Sequence, residues 1–449
     1  MGEHPDRSDA PHAAKVAVIA AALRARGAGE AVEEIAKGGV HHVVPLPGTP
    51  HSGHRPLDVT SLDEIIRVDA DQRVCVSEPA VPFGRIVRET LRRGLLPKVV
   101  PELKGITVGG AVAGCSVESM SYKYGGFHDS CLEYEVVTGA GEVMNCSRHQ
   151  DPDVFDMMHG SYGTLAVLTR LTFELIPAAP YVHLRYRTLT TAPALLAELR
   201  AACADADLDF IDGIVHGPNK FVLCLGTFVD SAPYVSDYTR SRIFYASTAV
   251  RAEDYLTTED YCFRYDTDCH WMTRTVPVLQ FAPVRWLLGH WLLGSTNLIR
   301  ASRRLSPLLT RRGRPDVVCD IFIPSRRFEE FFAWYETEFR FFPLWVVPYR
   351  APRDYPWISS DLMERARDDL YIDCAIYGRS NNEPDRDYSE LLERKVFEFD
   401  GLKTLIGRNH YTLERFWAIY NRPNWQAVKL RLDPKGVLPD LYGKWGRVG

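Results

Sequence analysis

The residues between Pro101 and Gly125 have the types and spacing suited to holding a charged cofactor. Five glycines fall within these 25 residues, among small Ala, Ser and Thr side chains. Glycine lets a backbone approach another molecule closely and adopt positive φ angles. Two linked phosphate groups need several N–H donors at close range, which small side chains leave accessible. The stretch therefore predicts a diphosphate cofactor laid along the backbone, because a single structural turn would not need so many glycines.

Composition places the chain among soluble globular proteins with more than one domain. It has 449 residues, 46% hydrophobic and 25% charged, and a formal net charge of −5. This acidic balance argues against a nucleic-acid-binding surface. The ten cysteines are singletons without a CxxC pair, which favours a reducing compartment and gives no metal-site spacing. The first twelve residues are polar, so we expect no secretory signal and a cytoplasmic protein.

Periodicity predicts an α+β unit that surrounds the glycine-rich stretch and ends near residue 180. Helical spacing of apolar residues, alternation of apolar and polar residues, and turn residues mark its elements. The predicted elements are helices at 13–26, 31–36 and 81–93, strands within 57–80, a hairpin at 134–147 and a strand at 165–176.

Beyond this unit, strand and helix segments alternate as far as about residue 407. They predict an antiparallel sheet covered on one face by helices, with an aromatic, helical stretch at 235–310. Residues 278–299 are largely apolar but are interrupted by Arg285. They fit either a buried or lid helix, or a surface element that dips into a membrane or an apolar substrate.

The order of these pieces resembles the vanillyl-alcohol-oxidase superfamily, whose FAD-binding domain is called PCMH-type. The residues that carry the resemblance are Pro101-Glu102-Leu103, Thr107-Val108-Gly109-Gly110, Glu118-Ser119, Ser121-Tyr122-Lys123-Tyr124-Gly125 and Gly163-Thr164-Leu165. Two later motifs, Tyr371-Ile372-Asp373 and Leu438-Pro439-Asp440-Leu441-Tyr442, are similar to the delta-24 sterol reductases of that superfamily.

The resemblance implies an α+β fold in three parts. We expect a two-subdomain PCMH-type FAD-binding domain at 1–180 and a cap or substrate domain with an antiparallel sheet and helices at 181–407. A C-terminal segment at 408–449 would return towards the flavin.

The resemblance also implies which residues contact FAD. They are Gly48, Thr49, His51, Ser52, Pro101, Glu102, Leu103, Thr107, Val108, Gly109, Gly110, Gly114, Cys115, Glu118, Ser119, Ser121, Tyr122, Tyr124, Gly125, Gly163 and Val167. The loop around His51 resembles the G-x-x-H-S loop of oxidases in which a histidine is joined to the flavin. A noncovalent loop histidine is the alternative, since the sterol reductases lack a histidine there.

For a member of this group, the resemblance implies a flavin oxidoreductase that acts on a C=C or CH–CH bond through flavin N5. Such chemistry needs a protein acid or base near the reacting carbon. The candidates are Tyr411, His410, Arg264, Asp373 and Lys429. Asp373 could instead be a sheet residue with a backbone partner, and Lys429 could face solvent or a flavin phosphate.

The many aromatic residues favour a small, mostly apolar substrate. NADPH is the expected electron donor of a reductase. An oxidase or dehydrogenase that uses oxygen as acceptor is one alternative, and a flavin-binding scaffold without redox chemistry is another. The sequence leaves the direction of the reaction and the oligomeric state open.

Overall fold

The structure is a computed structural model, and it describes residues 9–27, 32, 35–38, 56–240, 242–275, 277–298 and 314–446. The Gly48–Ser52 loop lies outside the described residues, so covalent attachment of flavin through His51 stays a prediction. The described part is α+β, as predicted. It has two large antiparallel sheets, a two-stranded parallel sheet and helices around them.

The first sheet and its helices occupy the part of the chain before residue 180. The elements are α1 (Asp9–Arg24), β1 (Ile35–Ala36), β2 (Leu57–Asp58), β3 (Ile65–Asp69), β4 (Val74–Ser77), α2 (Phe83–Leu91), β5 (Leu95–Pro97), α3 (Val108–Ala113), α4 (Ser121–Tyr124), β6 (Cys131–Thr138), β7 (Val143–Ser147), α5 (Pro152–Met157) and β8 (Ala166–Pro177). The strands lie in the order β3-β4-β8-β6-β7, and β5 pairs with β8.

The helix predicted at 31–36 is wrong for Ile35 and Ala36. These two residues pair in parallel with Leu57 and Asp58, so tertiary pairing overrides the local helical pattern. The helix predicted at 13–26 is confirmed, and α1 begins four residues earlier than expected.

The second sheet has eight strands in the order β12-β9-β11-β10-β14-β15-β13-β16, all antiparallel. Its strands are β9 (Tyr181–Leu189), β10 (Phe210–Gly217), β11 (Lys220–Val229), β12 (Glu253–Thr257), β13 (Val317–Pro324), β14 (Leu344–Tyr349), β15 (Tyr371–Arg379) and β16 (Leu402–Lys403). The strand β12 corrects the expectation that 235–310 is helical, because Glu253–Thr257 pairs with the edge of β9.

Helices connect and cover the second sheet. They are α6 (Ala192–Cys203), α7 (Phe244–Thr248), α8 (Thr258–Cys262), α9 (Ala282–Leu292), α10 (Phe328–Trp334), α11 (Ser360–Ala366), α12 (Tyr388–Glu398), α13 (Leu413–Ile419), α14 (Arg422–Leu432) and α15 (Leu441–Trp445).

The two faces of the second sheet are buried in different clusters. On β15, Ile372, Cys374 and Ile376 pack against α10 and α12. Ala375 and Tyr377 point to the other face, which joins the core of the first sheet. Because successive strand residues alternate between faces, Tyr371 and Asp373 share that inner face. The inner face therefore meets the glycine-rich stretch.

Candidate functional site

Gly109 lies where α3 packs against the turn that precedes α2. A Cβ atom on Gly109 would lie only 2.6 Å from the Cβ atom of Pro79. The Gly109 amide donates to the Pro79 carbonyl at 3.0 Å, and the Val108 amide donates to the Val81 carbonyl at 3.0 Å. These two amides, expected to face a diphosphate, are therefore paired within the protein, and close packing requires Gly109.

Gly110 faces a lysine ammonium group. A Cβ atom on Gly110 would lie 2.8 Å from Nζ of Lys37 and 3.1 Å from Oγ1 of Thr107. Thr107 caps α3, since its hydroxyl accepts the Gly110 amide hydrogen at 3.3 Å. Loss of hydration lowers the pKa of Lys37 to about 8. A small backbone, a hydroxyl and a cation converge here, and a phosphate group can use all three.

Lys37 is a residue that the sequence patterns miss. It follows directly on β1, a strand hidden by the apparent helical spacing at 31–36. The signal that could have revealed it is a lysine followed by Gly38 and Gly39. Gly38 adopts a φ of +70°, which ends the strand beside the lysine.

The stretch after α3 stays partly open. Residues 113–117 are half-buried, whereas Glu118 to Tyr122 are buried. Gly114 and Cys115 line a pocket. FAD contains a diphosphate and a flat ring. The Lys37 ammonium group at one end of the stretch suits the diphosphate, and the small, accessible residues at the other end leave room for the ring.

Other predicted cofactor residues have partners within the protein. The Tyr122 hydroxyl donates to the Leu208 carbonyl at 2.6 Å. The ammonium group of Lys98 lies 5.6 Å from the ring centroid of Tyr124. Gly125 has a φ of +77°, where a side chain would be strained. These three residues therefore hold the end of the glycine-rich stretch in place.

Gly163 and Val167 lie beside β1 and α1. A Cβ atom on Gly163 would lie 2.8 Å from Cδ1 of Ile35, and its φ is +73°. Val167 is buried in the apolar cluster that α1 forms with β8. Both residues therefore support the part of the first domain next to Lys37.

A largely apolar pocket lies between the glycine-rich stretch and the inner face of the second sheet. Its cavity volume is about 90 Å³, and the pocket opens to solvent. Gly114, Cys115 and Tyr162 come from the first part of the chain, and Phe322 and Tyr371 from the second sheet. Further lining residues are His128, Gly160, Tyr349, Tyr355, Trp357 and Tyr420.

His128 is a second residue that sequence reasoning missed. It is buried at the pocket wall, and neither ring nitrogen finds a hydrogen-bond partner among the described residues. Burial lowers the pKa of His128, so the imidazole is neutral at ordinary pH. The histidine can orient a bound molecule there, but an uncharged imidazole is a weak acid.

Arg264 occupies a buried network that joins the two parts of the chain. Its Nη2 atom lies 2.7 Å from Oε1 of Glu118 and 3.0 Å from Oδ2 of Asp212. Glu118 also accepts hydrogen bonds from the amide and hydroxyl of Ser119. The Glu118 amide in turn donates to the Ser121 hydroxyl at 2.9 Å. The predicted cofactor residues Glu118, Ser119 and Ser121 are thus part of a contact between the glycine-rich stretch and the second sheet.

This network carries two carboxyl groups and one guanidinium group. Burial raises the pKa of Glu118 to about 7, although Arg264 counteracts that effect. Tyr265 and Trp345 donate to Asp212 at 3.1 and 2.7 Å. Since both terminal nitrogens of Arg264 are engaged with Tyr261, Glu118 and Asp212, its geometry indicates a structural role.

A second buried cluster contains carboxyl groups without a cationic partner. Asp320 of β13 and Asp373 of β15 share the inner face of the sheet, and Glu102 approaches from the Pro101–Leu103 turn. The Tyr377 hydroxyl donates to Asp320 at 2.9 Å, and His270 Nε2 lies 3.1 Å from Glu102. Pro101 and Leu103 are buried around them.

Asp373 is the least engaged member of this cluster. Its Oδ1 atom is buried and finds no hydrogen-bond partner among the described residues. Burial, followed by the charges of Asp320 and Glu102, raises the pKa of Asp373 well above its ordinary value. Burial likewise raises the pKa of Asp320 to about 7. These carboxyl groups can therefore hold protons at neutral pH.

The other three predicted catalytic residues lie elsewhere. Lys429 donates to the carbonyls of Thr164, Leu438 and Pro439 at 2.8, 2.9 and 3.2 Å and pairs with Asp433. It therefore fastens the C-terminal helices to the first part of the chain.

His410 and Tyr411 are not among the described residues that line the apolar pocket. The His410 amide donates to Glu393 at 3.0 Å, and burial lowers the pKa of its imidazole. Tyr411 is buried, with the ammonium group of Lys403 5.5 Å from its ring centroid. The structure thus brings neither residue to the pocket wall.

Comparison with known proteins agrees with this geometry. Residues 13–147 match the family model described as an FAD binding domain. The chain is an FAD-dependent oxidoreductase. Its glycine-rich stretch, Lys37 and β6 all fall within that match, so the FAD-binding domain contains both the predicted cradle and the missed cation.

Similarity to individual relatives extends into the second sheet. The human Delta(24)-sterol reductase is 24% identical over 404 residues, covering 87% of this chain and 77% of the relative. The Arabidopsis thaliana Delta(24)-sterol reductase is 24% identical over 431 residues, covering 87% and 76%. Cytokinin dehydrogenase 7 of Oryza sativa subsp. japonica is 32% identical over 159 residues, covering 32% of this oxidoreductase and 30% of the relative.

Proposed function

We propose that this oxidoreductase reduces a C=C bond in a mostly apolar small molecule of the delta-24 sterol kind, with NADPH as electron donor. The single observation that carries the proposal is the apolar pocket between Cys115 and Tyr371. A largely apolar lining favours a hydrocarbon skeleton over a charged substrate. Similarity to Delta(24)-sterol reductases over most of the chain supports the same substrate class.

Each part of the site has a proposed task. Lys37 and Thr107 would bind the diphosphate of FAD, and Gly114 and Cys115 would leave space for its ring. Bound FAD supplies hydride transfer between donor and substrate. Tyr371 and the other apolar residues orient the substrate and exclude water, so that the protein controls where a proton is added.

The proposal is tested with purified protein reconstituted with FAD under anaerobic conditions. NADPH should bleach the visible flavin absorbance, and a sterol with a Δ24 double bond should restore it. A saturated sterol with the same skeleton is the control and should leave the flavin bleached. Failure of the unsaturated sterol to restore the absorbance would contradict the proposed substrate class.

Similarity to cytokinin dehydrogenase 7 and the loop around His51 favour a second candidate, a covalent-flavin oxidase or dehydrogenase. Flavin that stays with acid-precipitated native protein, but not with the His51→Ala variant, would support the covalent link. Substrate-dependent release of hydrogen peroxide would support the oxidase. A protein that binds FAD but reacts with neither donor nor substrate would instead support a flavin-binding scaffold.

The cradle itself is tested by binding. Gly110→Ala would place a methyl group 2.8 Å from the Lys37 ammonium group, and Lys37→Met would remove the cation. Both variants should weaken FAD binding by roughly tenfold or more, since a charge-assisted contact contributes about 1.5–3 kcal/mol. Gly217→Ala is the control, because a Cβ atom there meets no atom within 4 Å. Equal affinity in all four proteins, measured by flavin fluorescence, would remove Lys37 from the site.

We also propose peripheral contact with an anionic lipid surface through residues 278–287. Val278, Phe281, Trp286 and Leu287 are 53, 67, 59 and 65% exposed. The charged residue of this segment lies inside, since Arg285 is 1% exposed and forms two contacts of 2.6 and 2.9 Å with Asp268. Clustered exposed apolar residues favour a surface that is covered in use.

Charge next to the patch favours lipid as the partner. The Arg285 guanidinium also donates to the backbone carbonyls of Arg240 and Arg242, whose own side chains are exposed. Aromatic residues next to cations suit an anionic membrane interface. Among the described helices, none combines the length and apolar composition needed to cross a bilayer. The proposed contact is therefore on the surface of the membrane.

Co-sedimentation with phosphatidylcholine vesicles, with and without phosphatidylserine, tests this contact. The native protein should sediment with the anionic vesicles, and Phe281→Ser/Trp286→Ser should lose most of that binding. Arg240→Glu/Arg242→Glu should lose only the part that depends on phosphatidylserine. Leu430→Ser is the control, since Leu430 is 62% exposed on another helix. Native protein that stays in the supernatant would contradict the proposal.

A further inference from the structure

Three carboxyl groups meet at the boundary between the FAD-binding domain and the second sheet. Asp320 pairs with Ala375 across β13 and β15, so that Asp373 lies diagonally from it on the same face. Glu102 belongs to the turn that leads into the glycine-rich stretch. Asp373 is 1% exposed and Glu102 7%, whereas Asp320 is half-buried.

The same sheet face forms the wall of the apolar pocket. Phe322 is directly opposite Asp373 in the β13–β15 ladder, and Tyr371 is two residues before it. Both Phe322 and Tyr371 line the pocket. Since alternate residues of a strand share a face, Asp373 lies beside Phe322 and Tyr371 on this face, buried next to the lining residues of the pocket.

The groups around Asp373 favour its neutral form. Asp320 faces it from β13 and Glu102 from the turn before α3, and both would repel a carboxylate. Tyr377 on the same strand donates to Asp320, and His270 approaches Glu102. From β14, the side chains facing Asp373 are those of Trp345 and Val347, which carry no charge.

A short polar route connects these groups away from the pocket. The rings of His270 and Tyr377 are stacked, with centroids 4.0 Å apart and an angle of 8° between their planes. His270 contacts Glu102, and Tyr377 contacts Asp320. This arrangement places one histidine and one tyrosine beside the two carboxyl groups that neighbour Asp373.

We propose that the carboxyl group of Asp373 delivers the proton to one carbon of the substrate C=C bond, with Asp320 and Glu102 as positioning residues that keep it protonated. This inference rests on the proposed reduction of a C=C bond. Arg264 does not serve this purpose, because it is committed to Glu118 and Asp212. His128 also faces the pocket, but its imidazole is neutral and has no proton that it readily releases.

The step balances in atoms and electrons. The two electrons of the C=C π bond form a new C–H bond with the proton of Asp373, which becomes a carboxylate. The other carbon accepts a hydride, with its electron pair, from the reduced cofactor. A reduced nicotinamide supplies the next hydride, and a solvent proton returns Asp373 to its neutral form.

Asp373→Asn tests the role of the acid, because asparagine has nearly the same shape and no acidic proton. The variant should bind FAD and be bleached by NADPH as the native protein is. Its reoxidation by a Δ24-unsaturated sterol should be slower by about 10²–10⁴-fold, the usual contribution of a general acid. Asp385→Asn, the same change at an exposed aspartate, is the control and should leave reoxidation unchanged.

Infrared spectroscopy of the flavin-free protein provides a readout that needs no substrate. At neutral pH, native protein should show the C=O stretch of a protonated carboxyl group that Asp373→Asn removes. Asp320→Asn should move the titration of that band to lower pH, since it removes a repelling charge. If native protein does not reduce the sterol but the band is present, the proposed substrate class is wrong, while the protonated state of Asp373 is supported. Absence of the band, or native reoxidation rates in Asp373→Asn, would overturn the inference.

Discussion

Two buried charge clusters lie between the glycine-rich stretch and the second sheet, and they differ in one respect. Around Arg264, two carboxyl groups share a guanidinium group within 3.0 Å. Around Asp373, three carboxyl groups meet without a cation among the charges that act on Asp373. Burying a charge is costly unless it is paired. In the first cluster the Arg264 guanidinium counteracts the effect of burial on the pKa of Glu118, whereas no cation counteracts it on the pKa of Asp373. The first is suited to joining domains, and the second to donating a proton.

Removing the cation from the first cluster should have the largest effect on stability. Arg264→Met leaves Glu118 and Asp212 buried without their partner. We expect a loss of roughly 3–5 kcal/mol in the free energy of unfolding, the usual cost of breaking a buried ion pair on one side. Urea denaturation at neutral pH measures it. The triple variant with Glu118→Gln and Asp212→Asn should recover much of that loss; a triple variant as unstable as Arg264→Met would show that the charges are unimportant.

His12 provides a smaller paired cluster for the same comparison. Its imidazole joins α1 to Glu78 at 2.7 Å and Glu135 at 2.9 Å. Burial opposes protonation, but hydrogen bonds to Glu135 and Glu78 outweigh it and raise the pKa of His12 to about 9. His12→Gln should cost about 2 kcal/mol at neutral pH, from loss of charged hydrogen bonds.

The contribution of His12 to the free energy of unfolding should depend on pH. Because the folded pKa is above the unfolded value of 6.5, the stabilisation is complete below pH 6.5 and disappears as pH rises through about 9. Thermal unfolding of native protein and His12→Gln should therefore converge above pH 9. A difference that stays constant from pH 6 to 10 would exclude a protonated His12.

Asp320 should respond to pH in the same direction as His12, because its folded pKa is also raised, but its substitution should have the opposite effect on stability. The folded pKa of Asp320 is about 7, above its ordinary value of 3.8. Its contribution is favourable below pH 3.8 and is lost as pH rises through 7. Asp320→Asn removes this penalty, so the variant should be more stable than native protein at pH 8, by on the order of 1 kcal/mol. A destabilised variant at pH 8 would indicate that Asp320 is ionised and paired.

The sequence predicts local elements of this fold better than their contacts. The hairpin at 134–147 and the strand at 165–176 are confirmed as β6, β7 and β8, because turn residues and alternation are local signals. The strand at 253–257 escapes prediction, since it exists through pairing with β9 at a sheet edge. Likewise, the pairing of β1 with β2 overrides a helical pattern.

In the candidate site too, local residue patterns can be predicted from the sequence, but contacts between distant residues cannot. The glycine-rich stretch and Asp373 can be selected from residue types and family resemblance. The partners of Arg264 cannot be selected in this way, because Glu118 and Asp212 are 146 and 52 residues away along the chain. Nor does periodicity show that Glu102 meets Asp320. Gly109 is a further example, since periodicity does not show that its position packs against Pro79.

Reoxidation of the bleached flavin tests the central claim most directly. Native protein and Asp373→Asn are reduced with NADPH without oxygen and then mixed with a Δ24-unsaturated sterol, while the visible flavin absorbance is followed. The account predicts equal bleaching of both proteins and a return of absorbance that is about 10²–10⁴-fold slower in the variant. Equal rates of return in the two proteins would contradict it.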